Sequence, residues 1–383
     1  MGAHAVRCRV GVAAALIAVV PGCGGCGLRP AEYPADLAFP VRADRLVLKL
    51  PDKPAAAVNT AGMRDQEIAG LDAVGGRTVD PATVPAEGHA ALKAFLNTTF
   101  GTPAAPAEVS APLRLTAAHL AEGGRLYRRH CTDCHNLTGD GRGAKSGTFQ
   151  VPFPRDYRQG AFKFVTSGEG GKPRRADLLQ TLHDGLKGTA MPSFASLPEG
   201  ERDLLAGYVT FLSIRGQVEF DSLRSLIEGR PGDPAARLRE VVSEWERAEA
   251  APPLPAEPDD GAPGTPKFEA AVRRGHTLFT AKAENSCISC HGEYGRKPVL
   301  RYDVWGTVAK PANLTEPYLK GGSRAADVYA RVRFGIPAVG MPAHAPPKFS
   351  DRDVWDLVRF VTGAPYQVKL PEDVRCMVYP PSP

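Results

Sequence analysis

The stretch "RRHCTDCHNLTGDG", Arg128–Gly141, puts two cysteines and a histidine into the five positions Cys131–His135. A second stretch, "CISCH" at Cys287–His291, repeats the spacing. The flanking residues repeat as well. "GGRLY" (Gly123–Tyr127) corresponds to "GHTLF" (Gly275–Phe279), each on a helix-like run leading into the cysteines. "LLQTLHDGLKGTAMPSF" (Leu178–Phe194) lines up with "VYARVRFGIPAVGMPAH" (Val328–His344), pairing Gly185 with Gly335 and Met191 with Met341. "ERDLLAGYVTFL", starting at Glu201, is matched to "DRDVWDLVRFVT", starting at Asp351, both with helical apolar spacing. The shared order is helix, CxxCH, loop, short helix, Gly-x5-Met-Pro, terminal helix. It describes one small α-helical domain present twice.

Three chemistries compete for a Cys-x-x-Cys pair. A structural zinc ion needs four ligands, and each repeat supplies one cysteine pair and one adjacent histidine. A redox dithiol sits at a helix start beside a βαβ pattern, and no parallel-strand signal surrounds either site. Cys-x-x-Cys-His reads instead as c-type haem attachment. Two sulfurs two residues apart can bond the vinyl-derived carbons on one porphyrin edge, and the following imidazole swings under the iron. The expected cofactors are two covalently bound haem c groups, on Cys131 and Cys134 and on Cys287 and Cys290, with His135 and His291 as proximal ligands. Met191 and Met341 occupy matching positions and are the expected distal ligands; His183 and His344 are their nearby competitors.

The repeats resemble class I cytochrome c domains, and "PRDYRQGAFKF" with "GTAMPSF" resembles monohaem domains that serve bacterial respiratory complexes. The resemblance implies a proline carbonyl accepting from the proximal histidine's other ring nitrogen. Pro154 in "PRDY" and Pro311 in "PANL" take that role, with Pro152 competing. It also implies single-electron transfer and redox partner proteins such as a respiratory oxidase or a quinol-oxidising complex.

The rest of the 383-residue chain sets the context. The fold class is mainly α, two tandem class I cytochrome c domains preceded by an irregular N-terminal arm and joined by a helical, Pro-rich linker. Arg7, Arg9 and the apolar run Val10–Val20 have the layout of an export signal over 1–22, too short to span a bilayer. "PGCGGCG" resembles a lipoprotein processing site that would lipidate Cys23, with Cys26 competing, and Cys8 leaves with the signal. The domains are then 23–112, an arm of unknown fold; 113–217, the first cytochrome domain; 218–265, the linker with an amphipathic helix in "AARLREVVSEWERAEA"; 266–366, the second cytochrome domain; and 367–383, a tail. Cys376, unpaired unless it meets Cys26, is expected to be a structural thiol. The expected location is the periplasm or outer face of a membrane, with contact to lipid only through the anchor.

A net charge of +5, spread evenly, does not form a nucleic-acid footprint. Arg125, Arg128, Arg129, Arg142, Lys145, Arg155, Arg158 and Lys163 crowd around the first motif, where an exposed ring of them would steer an acidic partner. The function expected is a dihaem electron carrier between respiratory-chain components. A dihaem cytochrome c peroxidase and the haem subunit of a larger oxidoreductase are the alternatives.

Overall fold

The computed structural model describes residues 32–52, 55, 68–147, 152–230, 232–282 and 286–381. The export signal, Cys8, Cys23 and Cys26 lie outside the described residues.

Each repeat is built on two crossing helices. In the first, α2 (Ala117–His130) starts where Thr116 accepts from the His119 amide, and it crosses α5 (Glu199–Ile227). In the second, α7 (Pro266–Thr280), capped by Thr265, crosses α10 (Asp351–Gly363), where Ser350 and Asp353 cap one another's amides. The helices touch at glycines. A Cβ on Gly123 would lie 2.6 Å from the Leu204 carbonyl oxygen, and one on Gly275 only 2.0 Å from that of Asp356. Bare backbone at these two positions lets the aromatic pair below each crossing close, Tyr127 with Tyr208 at 5.2 Å and Phe279 with Phe360 at 5.3 Å.

These contacts correct the register expected for the terminal helices. Leu204 corresponds in space to Asp356 and Tyr208 to Phe360, so the sequence match starting at Glu201 and Asp351 is out by two positions. The two faces look alike over several offsets because both are apolar with helical spacing; the glycine crossing selects one.

Between the crossing helices, the motif turns α3 (Thr132–His135) and α8 (Cys287–Cys290) are followed by loops and by α4 (Arg175–Asp184) and α9 (Ala325–Phe334). The entry to each of the latter is fastened alike: Asp177 accepts from the Arg174 amide and Asp327 from that of Arg324. Gly185 and Gly335 end them at φ 65 and φ 67, where an L side chain would be strained. The loops beyond close identically, the Leu186 amide donating to the Met191 carbonyl and the Ile336 amide to that of Met341.

Three expected boundaries shift. The arm holds the elements that its strand-like run Arg45–Leu50 and helix-like run Glu87–Leu96 predict: strands β1 (Leu46–Lys49) and β2 (Arg77–Val79) pair antiparallel, and α1 (Ala86–Phe100) packs on α5. Phe39, Leu46, Leu96 and Phe100 join the first domain's core, which makes the arm a layer of that domain. α5 runs unbroken through the expected boundary at 217, with Val218 and Leu223 fully buried, and the linker helix α6 (Pro234–Glu249) buries Trp245 against the same core. Finally, the tail's α11 (Glu372–Val378) buries Val374 and Val378 in the second domain. Apolar stripes drive all three: a helix with a buried face belongs to the core that covers it. The stretch after α6 crosses between the domains and is pinned at both ends, by Arg174 to the Ala251 carbonyl and by Arg352 and Arg359 to the buried Asp260.

Candidate haem sites

Helix α2 delivers the first motif. The His135 amide bonds back to the Cys131 carbonyl at 2.8 Å, and Asn136 leaves the turn at φ 59. In the second motif the His291 amide bonds to the Cys287 carbonyl, also at 2.8 Å. The ring nitrogens are held the same way twice. His135 Nδ1 lies 3.2 Å from the Arg155 carbonyl oxygen and His291 Nδ1 3.0 Å from that of Ala312. Both acceptors are one residue beyond the expected Pro154 and Pro311. The Pro154 carbonyl is turned instead against Gly141, where an added Cβ would lie 2.2 Å from it. The prolines set the extended turn, and the next carbonyl reaches the ring. With Nδ1–H donating, Nε2 carries the lone pair.

The electrostatics of the donors separate the three readings of the motif. Burial pushes the Cys131 thiol up to about 12, with Cys134 adding to it, and the Cys287 thiol up to about 11. A redox dithiol needs the opposite shift. Burial lowers His135 to about 4, outweighing the Arg155 carbonyl that favours its charged form, and His291 is lowered by the same cause. Both imidazoles are therefore neutral at pH 7, the form that binds a metal. Among the described residues, no three His, Cys, Asp or Glu side chains converge as a metal site would require.

The second motif opens on a cavity of about 530 Å³. Cys287, Cys290, His291 and Met341 line it together, with Val328, Leu314 and Val361 among its apolar walls. Thiols, a neutral histidine, a thioether and apolar walls of this extent fit a covalently held porphyrin and its iron. Met191 packs on the same core cluster that contains Cys131, while His135 is buried against Tyr157, the rings stacked at 4.9 Å. Of the competing histidines, His183 is exposed and bonded to Asp184. His344 is buried, lines the cavity with Met341, and has an Nδ1 with no partner among the described residues.

Several of the basic residues near the first motif are paired with local carboxylates. Arg158 is buried between Asp44 and Asp156, Arg125 is paired with Glu122, Lys145 with Asp133, and Arg142 lies 3.9 Å from Asp44. Arg155 and Lys163 turn toward the second domain instead. The Arg155 guanidinium lies 3.6 Å from the centroid of the Trp305 ring, whose Nε1 donates to the Asp156 carbonyl. Lys163 is 3.5 Å from Asp303, a buried carboxylate of the second domain. This seam was not read from the sequence; its residues belong to no repeated motif, and nothing local marks them as neighbours. Cys376, expected to be a structural thiol, is exposed.

Two crossing-helix domains, each with CxxCH and a methionine loop, define a cytochrome c protein with two centres, a multihaem electron-transfer protein. The sequence profile described as cytochrome c oxidase, cbb3-type, subunit III matches residues 118–209 and 270–361, so the chain carries two tandem cytochrome c domains. Cytochrome c domains hold haem c covalently, which implies one haem per motif. No curated protein matches the chain. Among solved structures, a chain from the Kuenenia stuttgartiensis reducing HAO-like protein complex is similar at 28% identity, covering 63% of this chain and 95% of that one, with a TM-score of 0.46.

Proposed function

We propose that the protein is an exported dihaem cytochrome c that passes single electrons between respiratory-chain components and makes or breaks no substrate bond. The observation that carries this reading is the donor set of the second site: Met341 lines one cavity with Cys287, Cys290 and His291, and the backbone turn that presents it is repeated at Met191. His291 and Met341 would hold a haem there, and a haem so held would supply one-electron transfer. The chain's own part is to hold the imidazoles neutral, orient them through the Arg155 and Ala312 carbonyls, and keep water from the ring faces.

The partners proposed are redox proteins, such as a respiratory oxidase or a quinol-oxidising complex. Export is supported by the basic start and apolar run before Cys23, and Cys23 is the proposed lipid anchor. Among the described residues no helix is long and apolar enough to cross a membrane. Assembly as the haem subunit of a larger oxidoreductase is the variant of this reading in which the partner is permanent.

One observation favours a peroxidase instead. His344 shares Met341's cavity and carries an unpartnered, buried ring nitrogen, a candidate acid–base group beside a displaceable ligand. Absorption and electron paramagnetic resonance spectra of the oxidised holoprotein decide between them. Two low-spin centres with the far-red band of methionine-bound ferric haem support the carrier. A high-spin centre in the intact protein, together with peroxide turnover lost in His344→Ala, supports the enzyme.

A further inference from the structure

Four cations meet where the two cytochrome domains touch. Arg155 and Lys163 come from the first domain, Lys310 and Lys320 from the second, and all four line the cavity that holds the second motif. They act on one another. Burial and then the charges of Arg155 and Lys320 together lower Lys163 to about 7 against the pull of Asp303; Lys320 is lowered by burial, then by Lys310 and Arg155. Asp303 is the one carboxylate ion-paired with any of the four among the described residues. Of the other acids lining the cavity, Asp44 pairs with Arg42 and Arg158 and Asp156 with Arg158, while Asp140 accepts from Asn136 and Thr138 and Glu316 from Asn313. Arg301 adds a fifth positive group on the same wall, its Nη2 at 3.2 Å from Cys290 Sγ and its buried Nε without a partner among the described residues.

Arg155 and Lys163 are half-buried and Lys310 and Lys320 are exposed, so positive charge gathers along this wall with one carboxylate ion-paired to it. Like charges gathered on one wall of a cavity favour an anionic ligand. The wall lies beside the thioether cysteines, and the group that those cysteines would hold carries two carboxylates of its own. We propose that Arg155, Lys163, Lys310 and Lys320 form a carboxylate site for the propionates of the second haem, so that the first domain supplies half of the charged anchorage of the second domain's cofactor. The inference rests on the haem reading and goes beyond it. It makes the seam between the domains a contact completed by the cofactor, and it places the redox equilibrium of the second centre under the control of first-domain residues.

The test uses the full-length holoprotein and the variants Lys163→Met, Lys320→Met and Lys163→Arg, with Lys93→Met on exposed α1 as the control for a neutralised lysine elsewhere. Haem staining after denaturing electrophoresis first shows whether both groups are covalently attached; their absence from the parent protein would sink the haem reading itself. Optical redox titration then follows each centre, the second being the one missing from a Cys287→Ala/Cys290→Ala variant. A neighbouring positive charge favours the more electron-rich ferrous state. Lys163→Met and Lys320→Met should each lower the second centre's reduction equilibrium constant several-fold, up to about tenfold, which is about 59 mV for one electron. Lys163→Arg and Lys93→Met should leave it in place. A second centre that moves no more in Lys163→Met and Lys320→Met than in Lys93→Met overturns the proposal. So does a potential that shifts with added acetate in the parent but not in Lys163→Met, because the site would then be open to a free carboxylate.

Discussion

Replacing Gly275 by alanine tests the helix crossing on which the second haem domain stands. The new methyl carbon would start 2.0 Å from the Asp356 carbonyl oxygen and 2.5 Å from its carbon, where ordinary contact begins at 3.4 Å. The helices must therefore part by roughly 1.4 Å, and the obstacle is backbone, which has no rotamer by which to escape. Parting them loosens Phe279 from Phe360 and Tyr294 from Phe360, the aromatic contacts beneath the crossing. Overpacking of this kind costs about 1–3 kcal/mol, and a collision with backbone belongs at the upper end. Alanine returns about 1 kcal/mol through its better helix propensity. The net expectation is a loss of about 2 kcal/mol, or roughly 10 °C in the melting temperature of a domain of this size.

Gly123→Ala should cost less, since its nearest obstacle is at 2.6 Å, and Gly200→Ala, which meets nothing within 4 Å, should be neutral or slightly stabilising. Calorimetry of the holoprotein reads the three side by side. Unchanged melting in Gly275→Ala, or an equal loss in Gly200→Ala, would refute the packing argument.

Further expectations follow from individual contacts. Cys131→Ala/Cys134→Ala and Cys287→Ala/Cys290→Ala should each halve the covalently bound haem, measured by haem stain against protein stain, and a variant retaining the full amount would exclude attachment at that pair. Met341→Ala should remove part of the far-red band of the oxidised protein and lower the potential of one centre, with the other unmoved. At the arm, burial alone would push the Asp44 carboxyl up, but Arg42 and Arg158 beside it hold it well below the usual carboxylate range. Because the folded-state value is depressed, the stabilisation is present above the unfolded value near pH 4 and is lost as pH falls through the folded one. Asp44→Asn leaves Arg158 with a single carboxylate and should cost about 3–5 kcal/mol of first-domain stability at pH 7. Urea unfolding followed from pH 7 to pH 3 should show the parent approaching the variant on acidification; a constant gap would show that Asp44 is not ionised in the fold.

The cofactor chemistry was readable in the sequence because covalent attachment is local. CxxCH carries its two sulfurs and its ligand within one turn of helix, so spacing alone specifies the geometry, and repetition at Cys131 and Cys287 removed the coincidence. Met191 and Met341 are distant from their motifs, yet duplication marked them. The turn that presents each is also local, a positive-φ glycine followed by a backbone bond across the loop. The carbonyls of Arg155 and Ala312 were missed by one position because neighbouring carbonyls in an extended turn point in opposite directions, and sequence does not say which faces the ring.

By itself, then, the sequence determined that two helical cytochrome c domains follow one another, each with a CxxCH motif and a matching methionine loop. The tertiary structure alone decided what those domains share. The arm and α6 proved to be layers of the first domain, since an apolar stripe needs a partner surface that no local pattern names. The register of the terminal helices was settled by Gly123 and Gly275, where close approach, not hydrophobic spacing, selects one alignment among several. The seam of Arg155, Lys163, Asp303 and Trp305 joins side chains far apart in the chain. Charge and burial act through space, and only the folded chain brings those groups to one place.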